Sequence, residues 1–308
     1  RDALHARTIV RATLMRATLH LMSASDYLAF RIPLQPMLSA ALKAVLRQRA
    51  EGIDLPALLE RARTHFTARP STFTELRAAL ADQFPDLDER AMGYTVRLNL
   101  PLVMDPDDSP WAFPTNARFT LADAWLGQAP EDDPNPEALV RRYLAAFGPA
   151  SATDMQAWSG VAGIQAILNT MRPTLVTFRD ERKRELFDLP HAPRPPAESP
   201  APVRFLPEFD NILLAHADRQ RIIADTYRPL VVTRNLLVLA TFLVDGFVAG
   251  TWKLERKRHD VTLTLTPFEP ISSDAQVALI DEGERLARWV EPGANAYRVE
   301  VGIQANAR

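Results

Sequence analysis

The feature that most constrains this chain is an order of helix signals that occurs twice. Leu55, Leu58, Leu59, Ala62 and Phe66 recur at the spacing of one helix face. After a linker containing Pro70, Thr72-Phe73-Thr74-Glu75 is a capping box that opens a second helix to about Ala81. Asp86-Leu87-Asp88-Glu89 opens a third, running to about Leu100. The order then returns about 80 residues later. Val140, Tyr143, Leu144 and Phe147 make a helix face after Asn135-Pro136, and Phe147-Gly148-Pro149-Ala150 is the linker. Ser151-Ala152-Thr153-Asp154 is a second capping box, and a third helix, flanked at its start by Gly160 and Gly163, runs to about Met171. Repetition at a fixed spacing predicts a repeated supersecondary unit.

Each triplet is followed by β signals. Leu102-Val103-Met104, Trp111-Ala112-Phe113 and Arg118-Phe119-Thr120 read as a small β-wing punctuated by proline, aspartate and asparagine. Leu175-Val176-Thr177-Phe178 and Glu185-Leu186-Phe187-Asp188 read as two strands around the turn from Arg179 to Arg184. Three helices followed by a hairpin is the winged form of the helix-turn-helix, whose third helix is presented to a DNA groove. Three-helix units also serve as protein-interaction domains, so the pattern alone leaves both classes open. Upstream, Thr8 to Ala12 and Thr18 to Met22 read as a hairpin turning at Arg16-Ala17, the wing of a unit whose helices precede it. The chain opens on Arg1 rather than methionine, and a missing N-terminal portion is expected. Ser23 and Ser25-Asp26 offer a cap for a helix near Tyr27; Pro33 and Pro36 interrupt it, and a helical run resumes through Arg49.

A proline-rich stretch from His191 lacks helical periodicity and reads as a linker. Beyond it, Leu236 to Val244, the turn Asp245-Gly246 and Phe247 to Glu255 predict a hairpin, with Val261 to Thr266 as a third strand. Ser273-Asp274-Ala275-Gln276 is read as the cap of a last helix, whose stripe Leu279, Ile280, Gly283, Leu286, Ala287 and Val290 packs on the sheet. The expected class is α+β, predominantly α. The expected divisions are a remnant unit over 1–54, units over 55–130 and 131–190, a linker over 191–204 and a β-rich domain over 205–308.

An apolar fraction of 47% with 24% charged residues marks a globular chain, and no apolar run reaches the roughly 18 residues that span a bilayer. With no cysteine, disulfides, thiolate zinc sites and cysteine nucleophiles are excluded. No secretory leader is visible, so a cytoplasmic protein without a membrane partner is expected. The net charge of −2 argues against a uniformly basic nucleic-acid binder but leaves room for a basic stripe opposed by acids elsewhere.

Three groups of residues stand out. Arg179, Arg182, Lys183 and Arg184 crowd one turn, where they either meet phosphates or are offset by Asp180, Glu181 and Glu185. Asp210, Asn211, His216, Asp218, Arg219 and Arg221 lie along an apolar run from Phe205 to Ile223, as either a clasp of mutually satisfied charges or the wall of a cleft. One histidine with two carboxylates is a poor metal signal, and no metal or cofactor is expected. Glu208 and Asp210 share a strand face as a glycosidase pair would, but nothing else marks a sugar-binding cleft.

With these residues placed, the chain resembles the winged-helix DNA-binding family that includes bacterial DNA glycosylases for bulky alkylation and interstrand crosslinks. The matching pieces are Leu14-Met15-Arg16-Ala17-Thr18-Leu19-His20-Leu21, Phe119-Thr120-Leu121-Ala122-Asp123-Ala124-Trp125-Leu126-Gly127, Phe205 to Arg221, and Val244 to Leu254. The resemblance implies tandem winged helices and a β-rich C-terminal domain around a basic channel for double-stranded DNA, with a monomer expected. It places Arg16, Thr18 and His20 in the family's first-wing motif, on phosphate or the lesion pocket; the bland alternative makes His20 a buried, hydrogen-bonded side chain. It makes Arg219 and Arg221 the phosphate contacts of the C-terminal segment. The family credits catalysis to a Gln-x-Gln pair before the first wing. Every glutamine here is isolated, so no catalytic residue is assigned. Where Ala17 stands, the family typically has glycine. The implied activity is hydrolysis of the N-glycosidic bond of N7-alkylated purines; a non-enzymatic DNA-binding regulator and a protein-interaction module are the alternatives.

Overall fold

The computed structural model describes residues 1–46, 54–85, 88–109, 111–131 and 135–302. The chain forms two compact units, Arg1–Pro190 and His191–Arg308.

In the first unit a short helix, α1 (Asp2–His5), leads into β1 (Ile9–Thr13) and β2 (Leu19–Ser23), antiparallel from Ile9↔Ser23 to Thr13↔Leu19. Ser23 accepts the Asp26 N–H at 3.1 Å and caps α2 (Ala24–Phe30). Pro36 sits in the first turn of α3 (Gln35–Leu46), where its missing N–H breaks no helical bond. The expected run through Arg49 passes beyond the described residues after Leu46.

The first helical triplet is α4 (Leu55–Ala68), α5 (Phe73–Leu80) and α6 (Glu89–Asn99). Both halves of the Thr72–Glu75 box are made: the Glu75 N–H donates to Thr72 Oγ1 at 3.1 Å, and the Thr72 N–H to Glu75 Oε2 at 2.7 Å. Asp88 caps α6 through the Ala91 N–H and Glu89 lies in its first turn; Asp86 of the same signal lies outside the described residues. Leu58, Ala62 and Phe66 are buried against Leu76, Leu80, Met92 and Val96, while Leu55, at the helix start, stays exposed. Truncating one such leucine to alanine costs about 2–5 kcal/mol.

The chain returns as β3 (Leu102–Met104) and β4 (Phe119–Leu121), which join the N-terminal hairpin in one sheet of order β2-β1-β3-β4. Trp111-Ala112-Phe113, expected as part of the wing, is instead a loop. The Ala112 N–H turns back to Ser109 O, the Asp107 N–H meets Ala112 O, and Ala112 has φ 62°, so the segment cannot lie extended along β4.

After α7 (Ala122–Leu126) comes the second triplet, α8 (Pro136–Phe147), α9 (Ala152–Ser159) and α10 (Ile164–Met171), followed by the hairpin β5 (Val176–Arg179) and β6 (Glu185–Asp188). Gly160 ends α9 at φ 73° and Gly163 opens α10 at φ 79°, conformations that a Cβ disfavours. Val140, Tyr143, Leu144, Met155, Trp158, Leu168 and Phe187 fill the core. The repeat extends to backbone pairing. Ser71, just before the first capping box, bridges Phe119, and Ala150, just before the second, bridges Phe187.

The second unit is a five-stranded sheet of order β11-β10-β9-β8-β7. It comprises β7 (Arg204–Leu206), the short helix α11 (Arg228–Val231), β8 (Thr241–Val244), β9 (Phe247–Lys257), β10 (Asp260–Pro267), the long helix α12 (Ser273–Val290) and β11 (Ala296–Val301). Alternate residues of β10 face inward, and Leu263, Leu265, Phe242 and Leu279 form the layer between sheet and helix.

Three sequence expectations are corrected here. The strand expected from Leu236 starts only at Thr241, because the chain doubles back at 233–237. The Leu236 N–H meets Thr233 O at 2.9 Å, and Leu236 stands at φ 62°, 75% exposed. An unalternating apolar run does not reveal where it bends. The cap of α12 is Ser272 rather than Ser273, its Oγ accepting the Ala275 N–H at 3.3 Å, which puts Gln276 one position too late for a box. Finally, β11 follows α12 and pairs parallel with β10, a strand the pattern reading did not contain. Among the described residues no helix is long and apolar enough to cross a membrane.

Candidate nucleic-acid interface

The β1–β2 turn places two successive residues, Arg16 and Ala17, at φ 56° and 58°. Such a pair marks a type I′ turn, whose twist suits a hairpin and whose second central position favours glycine. One carbonyl, Met15 O, organises the turn. It accepts from the Thr18 N–H at 3.2 Å and from Thr18 Oγ1 at 3.2 Å, and it lies 3.1 Å from His20 Nε2. A carbonyl requires a donor, so the ring carries its proton on Nε2, and the neutral imidazole has its lone pair on Nδ1. Burial lowers the His20 pKa, the Met15 carbonyl opposes this by raising it, and the Arg16 charge lowers it further. His20 is thus half-buried and hydrogen-bonded, with Thr18 Oγ1 3.0 Å away. Arg16 reaches across the unit, donating from Nη1 to Trp158 O at the end of α9 (2.8 Å). That contact fixes the turn against the second triplet.

At the β5–β6 turn the charges divide. Asp180 accepts the backbone N–H of Arg182 at 3.0 Å and of Arg184 at 2.8 Å, and its Oδ2 lies 2.6 Å from Arg184 Nε. Burial alone would raise the Asp180 pKa, but the Arg184 hydrogen bonds outweigh it and lower it. Glu185 takes both Arg172 Nη groups, at 2.8 and 2.9 Å, and that bidentate hydrogen bonding holds its carboxyl below the usual carboxylate range. Arg179, Arg182 and Lys183 are exposed on the same turn.

In the second unit Asp210 and Asp218 build turns. Asp210 Oδ1 accepts the Ile212 N–H at 2.9 Å and Asp218 Oδ1 the Gln220 N–H at 3.2 Å. His216 is buried, Asn211 and Arg221 are exposed, and among the described residues no three His, Cys, Asp or Glu side chains gather as a metal site would require. Arg219 is half-buried and its Nε meets no hydrogen-bond acceptor. Desolvation, then the neighbouring Arg228 charge, lowers its pKa. A guanidinium held there, beside a second one, is suited to an anion.

Residue-by-residue motif reading passed over the distribution of acids. From residue 3 to residue 50 the only acid is Asp26, set against seven arginines and lysines, and Asp26 is bound by Arg142 at 3.1 Å. From residue 155 to residue 179 there is no acid at all. The structure joins these two acid-poor segments through the Arg16–Trp158 contact. A chain of net charge −2 thus holds two segments in which cations outnumber acids, legible as gaps in the carboxylate pattern.

A curated relative, the interstrand DNA cross-link repair glycosylase of Streptomyces sahachiroi, is 26% identical over 175 residues, 53% of this chain and 44% of the relative. The chain therefore aligns with less than half the length of that relative. The solved structure of the Streptomyces sahachiroi DNA glycosylase AlkZ shares the fold, with a TM-score of 0.74 at 21% identity, covering 98% of this chain and 83% of that one. The family model described as DNA glycosylase AlkZ-like matches residues 1–289, and the chain belongs to the AlkZ-like DNA glycosylase family.

Proposed function

We propose that this chain binds double-stranded DNA and serves a DNA glycosylase that removes bulky N7-alkylated purines or unhooks crosslinked ones. The observation that carries this reading is the family match across residues 1–289. The two acid-poor segments of the first unit, 3–50 and 155–179, supply a physical reason for a polyanionic partner, since phosphate neutralisation dominates the affinity of duplex binding.

Within that reading, residues 55–130 and 131–190 are winged helix-turn-helix units, 1–54 is the remnant of another, 191–204 is a linker and 205–308 a C-terminal domain. Supporting the first two are their equal capping boxes and the matched bridges Ser71↔Phe119 and Ala150↔Phe187. Arg179, Arg182 and Lys183 are the phosphate contacts of the second wing, with Arg184 held back by Asp180. In the N-terminal hairpin Arg16 and Thr18 set the turn and His20 faces the DNA. Arg219, with Arg221 and Asn211, takes a phosphate in the second unit, where Asp210, Asp218 and the buried His216 shape the loop.

The chemistry asks little of an acid. An N7-alkylated purine is already cationic and departs as a neutral base, so the protein must place a water and stabilise an oxocarbenium-like sugar. A second reading, DNA binding without catalysis, is favoured by the isolation of every glutamine in these 308 residues. The deciding experiment is base release from duplexes bearing N7-alkylguanine, by this chain and by the product of its complete coding sequence. Release by either supports the glycosylase. Retained, salt-sensitive binding with no release over a range of lesions supports the second reading, and salt-insensitive behaviour removes DNA as the ligand.

A further inference from the structure

Helix α10 has one buried face and one open face. Ile164, Leu168 and Met171 are buried, while Gln165, Ala166, Asn169 and Thr170 are exposed. Nothing on the open face is charged. Gly163 and Ala166 are small enough to let another surface approach the backbone, and the amide side chains project one helical turn apart. Those amides are already engaged with each other, because Gln165 Nε2 donates to Asn169 Oδ1 at 3.1 Å. That bond fixes two flexible side chains and leaves the Gln165 oxygen as an acceptor beside the Asn169 nitrogen as a donor.

The surroundings define the occupant. No acid lies between Asp154 and Asp180, and Asp154, the one acid of α9, is buried in its own capping box with Ser151, so α10 and β5 add no carboxylate to the face. Arg179 stands exposed beyond its C-terminal end, next to Arg172, whose charge Glu185 already engages, and Arg141 of α8 donates to Thr174 Oγ1 at 3.0 Å. An uncharged, hydrogen-bonding helix face bordered by arginines fits the floor of a groove flanked by phosphates.

We propose that α10 enters the major groove of duplex DNA and that Gln165 and Asn169 read base edges there. This deepens the duplex-DNA reading, on which it rests, by assigning the residues that set sequence preference. In the major groove adenine presents N7 as an acceptor and N6 as a donor, the complement of the locked amide pair, and Asn and Gln are the side chains that match it. Guanine presents acceptors only, at N7 and O6, which an arginine or lysine would match and this face does not offer. The helix therefore prefers A·T over G·C at the positions it covers, independently of any lesion. The arginines at its border add affinity without sequence information.

The test is selection of duplexes from a randomised, undamaged library by the full chain, followed by binding measurements. The expected result is an adenine-containing motif. Gln165→Ala/Asn169→Ala reduces the preference for that motif over random duplex by about tenfold. Affinity for random duplex stays within about twofold, since alanine at exposed helix positions maintains α10. Replacing the selected adenine by 7-deazaadenine, which removes only the N7 acceptor, weakens binding of the wild type and not of the double variant. Salt-sensitive duplex binding without any enriched motif overturns the readout and leaves the DNA reading intact. An unchanged preference in the double variant, or indifference of the wild type to 7-deazaadenine, also overturns it. Absence of duplex binding altogether overturns both.

Discussion

The division of charge on the β5–β6 turn makes a quantitative prediction. Asp180 engages Arg184 at 2.6 Å and Glu185 engages Arg172 at 2.8 and 2.9 Å, so two of the cations are offset within the protein. Arg179 and Lys183 are exposed beside them. Each phosphate neutralised contributes about 0.9 to the slope of log affinity against log salt. Arg179→Ala/Lys183→Ala should therefore flatten that slope by ~1.8, and across a fourfold rise in salt the variant should lose about twelvefold less affinity than the wild type does. Arg184→Ala should change the slope by less than half the effect of Lys183→Ala, because the charge it removes is already spent on Asp180. Fluorescence anisotropy with an undamaged duplex at four or five salt concentrations resolves these slopes. Equal slopes for the Arg184 and Lys183 variants, or no change in the double variant, would refute the reasoning that separates bound from available charge.

Three further outcomes follow from local geometry. His20 has a folded-state pKa below its unfolded value of about 6.5, so its contribution to stability is complete above that pH and is lost as pH falls through the folded value. Urea midpoints at pH 7.5 and 5.5 should differ less for His20→Gln than for the wild type; an identical difference would remove His20 as a source of the pH dependence. Ala17→Gly should stabilise the first unit by about 0.5–1 kcal/mol, because alanine at φ 58° pays a steric cost that glycine avoids; a lower urea midpoint would show that the turn is not strained there. Arg31, 2% exposed, donates to Gln35 Oε1 at 2.6 Å and to Leu98 O and Asn99 O at 3.2 Å, closing the C-terminal end of α6. Arg31→Met should cost about 3 kcal/mol by orphaning Asn99 O and Gln35 Oε1, while Leu98 O keeps the Gln35 Nε2 donor at 3.2 Å, and a loss below about 1 kcal/mol in urea unfolding would show that water replaces the guanidinium.

The helical triplets, their caps and the N-terminal and β5–β6 hairpins can be read from the chain alone, since caps, periodicity and tight turns are short-range and each announces itself within a few residues. Thr72 with Glu75 and Ser151 with Asp154 are examples, each closing its box with its own neighbour. Motif and charge single out the candidate DNA-facing residues. Their actual engagements were not legible, because Arg16 meets Trp158 and Arg172 meets Glu185 only once distant backbone has been brought together. Tertiary structure also decided that the N-terminal hairpin shares a sheet with β3 and β4, that β11 pairs parallel beyond α12, and that the apolar run from Leu236 bends before it pairs. Each of these turns on which surface is covered by which, a long-range property that no window of sequence contains.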